Sequence, residues 1–372
     1  MQTQGLNTEI KAGGKKFHVQ TNYLEPVEKI ISSIYEDGQI LFKKERHVDE
    51  GNVEKALENG IKELHKETID DIELLYYISV KVSSIRHAPS NLRLGKMFLH
   101  YNLIQDGIGE FKNAVNLDPD LVDAYKYLSI SYLSQKSYEQ ALETVNAALE
   151  KETSFPDLYC VLGRIQCERK QYSESIVSFN KALEINPGYE EAGIYLIYTL
   201  LKSVADEYED ESLPGLENRK EIAISQLQRS EKFIRSDRLI EIYELLEKGD
   251  YDKTCNVLLS VIDEDLKKDI GYLENEFYLR FMFGGKGKDD EFVKQYVEDI
   301  QKTLAQNPQY ADLRNNLGIA YLIQCRNLFL KALDEFREAL NINEQYKKAE
   351  RNLKLAENDG KGFLILLRAL LK

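Results

Sequence analysis

The stretch FKNAVNLDPDL, Phe111 to Leu121, is echoed by FNKALEINPGY, Phe179 to Tyr189, two 34-residue periods further on. A chain that repeats at such an interval is constrained to stack one small unit on the next, because each unit buries its apolar face only against its neighbours. Three frames abut without a gap. In 88–121, Leu94-Gly95 fall at positions 7 and 8, Gly107 at 20, Phe111 at 24, Ala114 at 27 and Pro119 at 32. Frame 122–155 supplies Tyr125, Leu128, Tyr132, Ala141 and Ala148, and frame 156–189 supplies Tyr159, Leu162-Gly163, Tyr172, Phe179, Ala182 and Pro187. Small residues at 8, 20 and 27 let helices approach closely, and larger ones at 4, 7, 11 and 24 fill the space between them. Proline at 32 ends the second helix in the first and third frames, whereas the middle frame has Thr153 there.

This spacing resembles the tetratricopeptide repeat, a helix-turn-helix unit. The resemblance implies a mainly α fold, an α-solenoid whose helix pairs wind into a right-handed superhelix. The pattern returns between Ala311 and Tyr346, where Leu317-Gly318, Tyr321, Ala332, Phe336 and Ala339 keep their spacing after two extra residues in a turn at CRNLF. Between 190 and 310 it degenerates. Ile197 takes the place of a small residue, the acidic insertion ADEYEDESLPGLENRK delays a second helix, and LIEIYELLEKGDYDKTCNVLLSVI has a shortened first helix. About seven helical pairs are expected over 88–346, regular at 88–189 and 311–346. The segment from Ile270 to Phe283 would pair with the helix ending on Pro308.

The first fifty residues follow a different period. Two alternating runs flank Gly13-Gly14 and two more flank Asp37-Gly38, a strong hairpin signal. Residues 1–50 are therefore expected as a small antiparallel β-domain with Ile10, Phe17, Val19, Ile34 and Ile40 on its apolar face, and His18 on the opposite one. Residues 51–87 would hold connecting helices, the first of which could cover that face. The words NTEI, GKKFHVQT and DGQIL resemble a segment found ahead of such repeats in bacterial proteins. Residues 347–372 form a C-terminal helix ending in the apolar GFLILLRALLK, which either caps the array or docks onto a partner or a second copy, giving self-association.

A net charge of −14 argues against non-specific nucleic-acid binding. No apolar run reaches the roughly 18 to 20 residues of a membrane span, and the first residues lack the apolar core of a signal peptide. Cys160, Cys167, Cys255 and Cys325 sit in helical patterns at no metal-ligand spacing, so reduced thiols and a cytoplasmic setting are expected. The five histidines lie within the first hundred residues without HxH or HxxxH spacing, which favours surface or interfacial roles over a metal site. GGKGKDD resembles a phosphate loop but lacks GxxxxGK[ST] and reads as a connector. DEYEDE lacks the glycine and ligand spacing of a Ca²⁺ loop and reads as solvated. No catalytic constellation, cofactor fingerprint or metal site is recognised.

The resemblance places positions 2, 5, 9, 12 and 13 of each first helix in a concave groove. These are Lys96 and His100, Asp123 and Lys126, Cys160 and Arg164, and, in the last repeat, Asn315, Ile319, Leu322 and Ile323. Lys96, Lys126 and Arg164 form a basic strip that predicts an acidic or carboxylate ligand, although Ile130 stands where a chaperone-tail clamp has Asn. The function expected is a non-catalytic scaffold or adaptor binding a peptide or helix of a protein partner, with no cofactor, in a bacterial pilus, secretion or motility assembly. The alternatives are a regulator that senses a ligand through its β-domain, and an enzyme with an unrecognised site.

Overall fold

The computed structural model describes residues 5–47, 53–266, 270–285, 289–306, 308 and 311–370. The chain forms two compact units, Met1–Pro89 with Ile270–Lys372, and Ser90–Asp269. The single array expected over 88–346 is thus divided, its C-terminal part sharing a unit with the N-terminal sheet.

Unit one begins with four antiparallel strands in sequential order: β1 (Leu6–Ala12), β2 (Lys15–Leu24), β3 (Lys29–Glu36) and β4 (Gln39–His47). Gly13, Gly14, Asp37 and Gly38 all have positive φ, as tight two-residue hairpins require. A side chain at Gly13 would meet the Tyr76 ring at 2.2 Å, so glycine also admits that ring. Pairing sets Ile10 opposite Phe17, Val19 opposite Ile34, and Ile34 opposite Phe42. Ile40 departs from expectation and is exposed. The register shifts between Ile34 and Tyr35, so Ile40 pairs with Tyr35 and leaves the apolar face.

Residues 48–52 lie outside the described residues, and beyond them one long helix, α1 (Val53–Ser83), stands in place of the expected connecting helices. It lays Ile61 and Leu64 on Ile30, and Tyr76 beside Phe17. Each such apolar side chain stabilises by about 1.5–3 kcal/mol when fully buried. The centre of the interface is polar. Thr21 donates to Ser32 at 2.8 Å, and both ring nitrogens of buried His65 hydrogen-bond threonine hydroxyls, Nδ1 that of Thr21 and Nε2 that of Thr8, each at 2.8 Å. His65 is therefore interfacial. On β4, Lys44 pairs with Glu67 and Asp71, and Arg46 with Glu63 and Glu67, successive turns of α1.

The same unit holds α12 (Ile270–Met282), α13 (Asp290–Gln306), α14 (Ala311–Ile342) and α15 (Lys347–Leu370). Phe277 stacks on Phe281, Phe292 and Tyr296, over a core with Val293, Ile300, Leu313, Ala320 and Ile323. Part of GGKGKDD, residues 286–288, lies outside the described residues; Asp289 accepts from the Phe292 amide and caps α13. The turn expected at CRNLF does not form. Residues 325–329 contain neither Gly nor Pro, and α14 runs unbroken for 32 residues. The helix pair of the last repeat is instead α14 with α15, which packs back along it with Arg337 donating to Glu357 at 3.2 Å. The side chains of 363–372 lie outside the described residues, and with them the capping or docking of GFLILLRALLK.

Unit two carries the tetratricopeptide pattern as helix pairs. First helices α2 (Ala88–His100), α4 (Val122–Ser134), α6 (Pro156–Glu168) and α8 (Glu190–Ala205) start at the same position of successive frames. Their partners are α3 (Ile104–Leu117), α5 (Tyr138–Leu149), α7 (Tyr172–Ile185) and α9 (Leu216–Ser230), followed by α10 (Ser236–Glu247) and α11 (Tyr251–Leu266). A Cβ at Gly95 would lie 2.5 Å from the Phe111 ring, and one at Gly163 would lie 2.8 Å from Phe179. Where position 8 is larger, position 24 is smaller, as with buried Ser129 and Val145. The two positions trade volume at constant packing.

Every first helix ends alike. Asn102, Lys136 and Lys170 adopt left-handed backbone, and the next amide bonds back across the turn, as in Ser137 N–H to Tyr132 O at 2.9 Å. Glu207 and Gly249 close α8 and α10 the same way. The acidic insertion is less solvated than expected. Buried Arg219 donates to the carbonyls of Ser203, Tyr208 and Pro214 and to the Ser203 hydroxyl, while Asp206 receives Lys170, Lys202 and Tyr172. Glu207, Glu209 and Glu211 remain exposed.

Candidate functional site

The first helices of unit two bring Lys96, Lys126 and Arg164 onto aromatic rings. Lys96 Nζ lies 4.3 Å from the Tyr127 ring centre, on the following first helix. Lys126 Nζ lies 4.9 Å from the same ring and 5.6 Å from that of Phe155, the residue before α6. The Arg164 guanidinium is 4.9 Å from Tyr195 of α8. All but the Lys126–Tyr127 contact, which lies within α4, reach toward the following repeat, and such stacking contributes about 0.5–2 kcal/mol.

The cations are also paired. Lys126 meets Asp123 at 3.4 Å and Asp157 at 3.5 Å, and Arg164 donates to Glu191 at 3.3 Å. Tyr189, which precedes α8, donates its hydroxyl to Asp157 and stands 3.4 Å from Glu191, joining the two pairs into one network. Burial alone would lower the Lys126 ammonium, but Tyr127, Asp157 and Asp123 carry it above the ordinary lysine value. Arg164 is likewise held up against burial by Tyr195 and Glu191. The basic strip is therefore charged but compensated, and the carboxylates are its more accessible members: Lys126 is 16% exposed against 31% for Asp157, and Arg164 19% against 24% for Glu191.

Asp123, Asp157 and Glu191 occupy position 2 of three successive frames, each in the first turn of its helix, where the macrodipole favours an anion. Sequence reasoning named Asp123 but missed Asp157, Glu191, Tyr127, Tyr189 and Tyr195. Their 34-residue recurrence at position 2 was the available signal for the carboxylates.

The other predicted groove residues lie elsewhere. His100 is exposed at the end of α2, edge-on to Tyr101 at 5.4 Å. Cys160 is buried beneath the network, and burial followed by Glu191 pushes its thiol well above the ordinary value, so it is no nucleophile. Asn315 and Ile319 belong to unit one. Asn315 is exposed, Ile319 and Leu322 pack partly against the local core, and Ile323 is fully buried, because α14 does not present a repeat's first-helix face.

Unit one has a polar cavity of about 270 Å³ lined by Lys44, Asp71, Glu276, Arg280 and Tyr296 among others. Arg280 bridges Asp71 and Glu276, and Lys44 reaches Asp71 at 2.9 Å. Burial raises the Glu276 carboxyl above its ordinary value, against the pull of Arg280. Among the described residues no group of His, Cys, Asp and Glu stands where it could hold a metal ion, and no helix is long and apolar enough to cross a membrane.

No protein-family model matches the chain, and no curated protein matches it. Solved structures do. MamA is 21% identical over 46% of this chain and 96% of its own, at a TM-score of 0.36. YrrB, described as a TPR protein with an unusual peptide-binding site, is 16% identical over 54% of this chain and 97% of its own, at 0.35. TTC0263, a thermophilic TPR protein of Thermus thermophilus, is 15% identical over 63% of this chain and all of its own, at 0.33.

Proposed function

We propose that the chain is a non-catalytic interaction scaffold whose unit-two first helices bind a peptide or helix of a protein partner. The observation that carries this reading is the continuous network from Lys96 through Tyr127, Lys126, Asp157, Tyr189 and Glu191 to Arg164, which runs across four successive first helices. Half-exposed rings beside fixed charges suit recognition of side chains along a segment. The acidic ligand expected from the lysines must exchange with Asp157 and Glu191 for Lys126 and Arg164. A role in a bacterial pilus, secretion or motility assembly, in the cytoplasm, rests on the resemblance of the sequence alone.

The test is fluorescence anisotropy with peptides of matched length and opposite net charge. An acidic ligand binds more weakly to Lys126→Glu with Arg164→Glu and more tightly to Asp157→Asn with Glu191→Gln. Equal affinity of the original chain and both double variants for every peptide, with helicity intact, would overturn the groove.

The cavity lined by Lys44 of the β-domain favours a second reading, a ligand-sensing regulator. A small anionic or zwitterionic metabolite that raises the melting temperature of the intact chain, but not of Lys44→Ala, supports it. No shift in either chain counts against it.

A further inference from the structure

On α14 the residues Tyr321, Cys325, Leu328, Ala332, Glu335, Ala339 and Ile342 follow one another at alternating steps of four and three. That is the seam spacing of a coiled coil, held over three heptads. The buried face of the helix lies elsewhere, at Leu313, Asn316, Ala320, Ile323, Asn327 and Leu333. The seam faces solvent: Tyr321 is 45% exposed, Leu328 65% and Ile342 80%, Cys325, Ala332 and Glu335 are exposed, and Ala339 is half-buried. It extends roughly 31 Å along the helix axis without the break a repeat turn would have made.

We propose that this seam is covered by the α14 seam of a second copy of the chain, packed antiparallel about a two-fold axis. The period of the stripe specifies a helix as the occupant, since only a helix presents knobs at matching intervals. Self-complementarity specifies the same helix. In the antiparallel register that sets Cys325 against Ile342, Leu328 falls against Ala339 and Ala332 against Glu335, so large residues meet small ones in the first two of the layers inward from the ends. That register also places Lys331 of one copy beside Glu338 of the other, and the two-fold axis makes the pair twice. Lys331 and Glu338 are both exposed, and Lys331 pairs with Asp290 in the isolated chain.

Light scattering behind size exclusion reads the mass of the full chain. The expected result is twice the chain mass, returning to one chain mass in Leu328→Glu with Ile342→Lys while circular dichroism stays unchanged. Lys331→Glu alone weakens association, and Lys331→Glu with Glu338→Lys restores it. Mild oxidation of Ile342→Cys gives a covalent dimer through native Cys325, lost when Cys325→Ser is added. A single chain mass at every concentration would overturn the proposal, leaving the seam to another protein's helix. A dimer that survives Leu328→Glu with Ile342→Lys would overturn it in favour of a different face. A Cys325–Cys325 crosslink in the unaltered chain would overturn the antiparallel register.

Discussion

Helices α4 and α14 begin with the same pattern, an Asp in the first turn and a leucine at position 7, yet α4 stops after 13 residues and α14 continues for 32. The difference lies downstream of that shared start. In α4 the chain reaches Lys136, accepts a left-handed backbone, and closes the helix with the Ser137 amide. In α14 the corresponding stretch is CRNLFLKALDEF, whose good helix formers meet no competing turn. Repeat identity in this protein is set by helix stops as much as by apolar spacing.

The comparison can be broken at its core, where Phe179→Ala removes the ring that fills the space above Gly163. A loss of about 3–5 kcal/mol in unit two is expected from urea unfolding, whereas Phe336→Ala on half-buried α14 costs less. Restoring the missing stop tests the other side: Phe329→Pro should cost about 3 kcal/mol, seen as lost helicity by circular dichroism. Arg219→Ala takes the guanidinium donor from the Tyr208 and Pro214 carbonyls and should cost about 2 kcal/mol, with early proteolysis between 206 and 215.

A pH titration sharpens the contrast further. Burial, then the charge of His18, holds His65 below the ordinary histidine value. The unfolded chain therefore binds the extra proton first, and stability falls as pH drops below about 6.5. The urea midpoint of unit one should decline on acidification, and the decline should shrink in His65→Gln. Smallest of all, Lys136→Gly relieves a left-handed lysine and should stabilise by a few tenths to about 1 kcal/mol, by thermal melting.

Much of the fold could be read directly. Glycine opposite phenylalanine at positions 8 and 24 predicts a close helix pair because few other combinations conserve that volume, and paired turn glycines predict hairpins because few residues tolerate their φ. What stayed hidden had weaker local causes. The exposure of Ile40 follows from a register shift that alternation does not reveal, and the continuity of α14 follows from the absence of a stop, which a repeating pattern invites one to supply. At the candidate site the cations were legible by position, but their compensation was not, since Asp157 and Glu191 belong to the next repeats and reach the cations only once the helices stack.

The insertion between α8 and α9 has one more implication. Arg219 holds it by the carbonyls of Tyr208 and Pro214, and every amino acid supplies a carbonyl. The Arg219 anchoring is blind to the side chains of Glu209, Glu211 and Leu213, while Asp210 holds the turn through the Ser212 amide and hydroxyl, so a foreign epitope grafted there that keeps Asp210 and Ser212 should be displayed without disturbing the repeats that carry it.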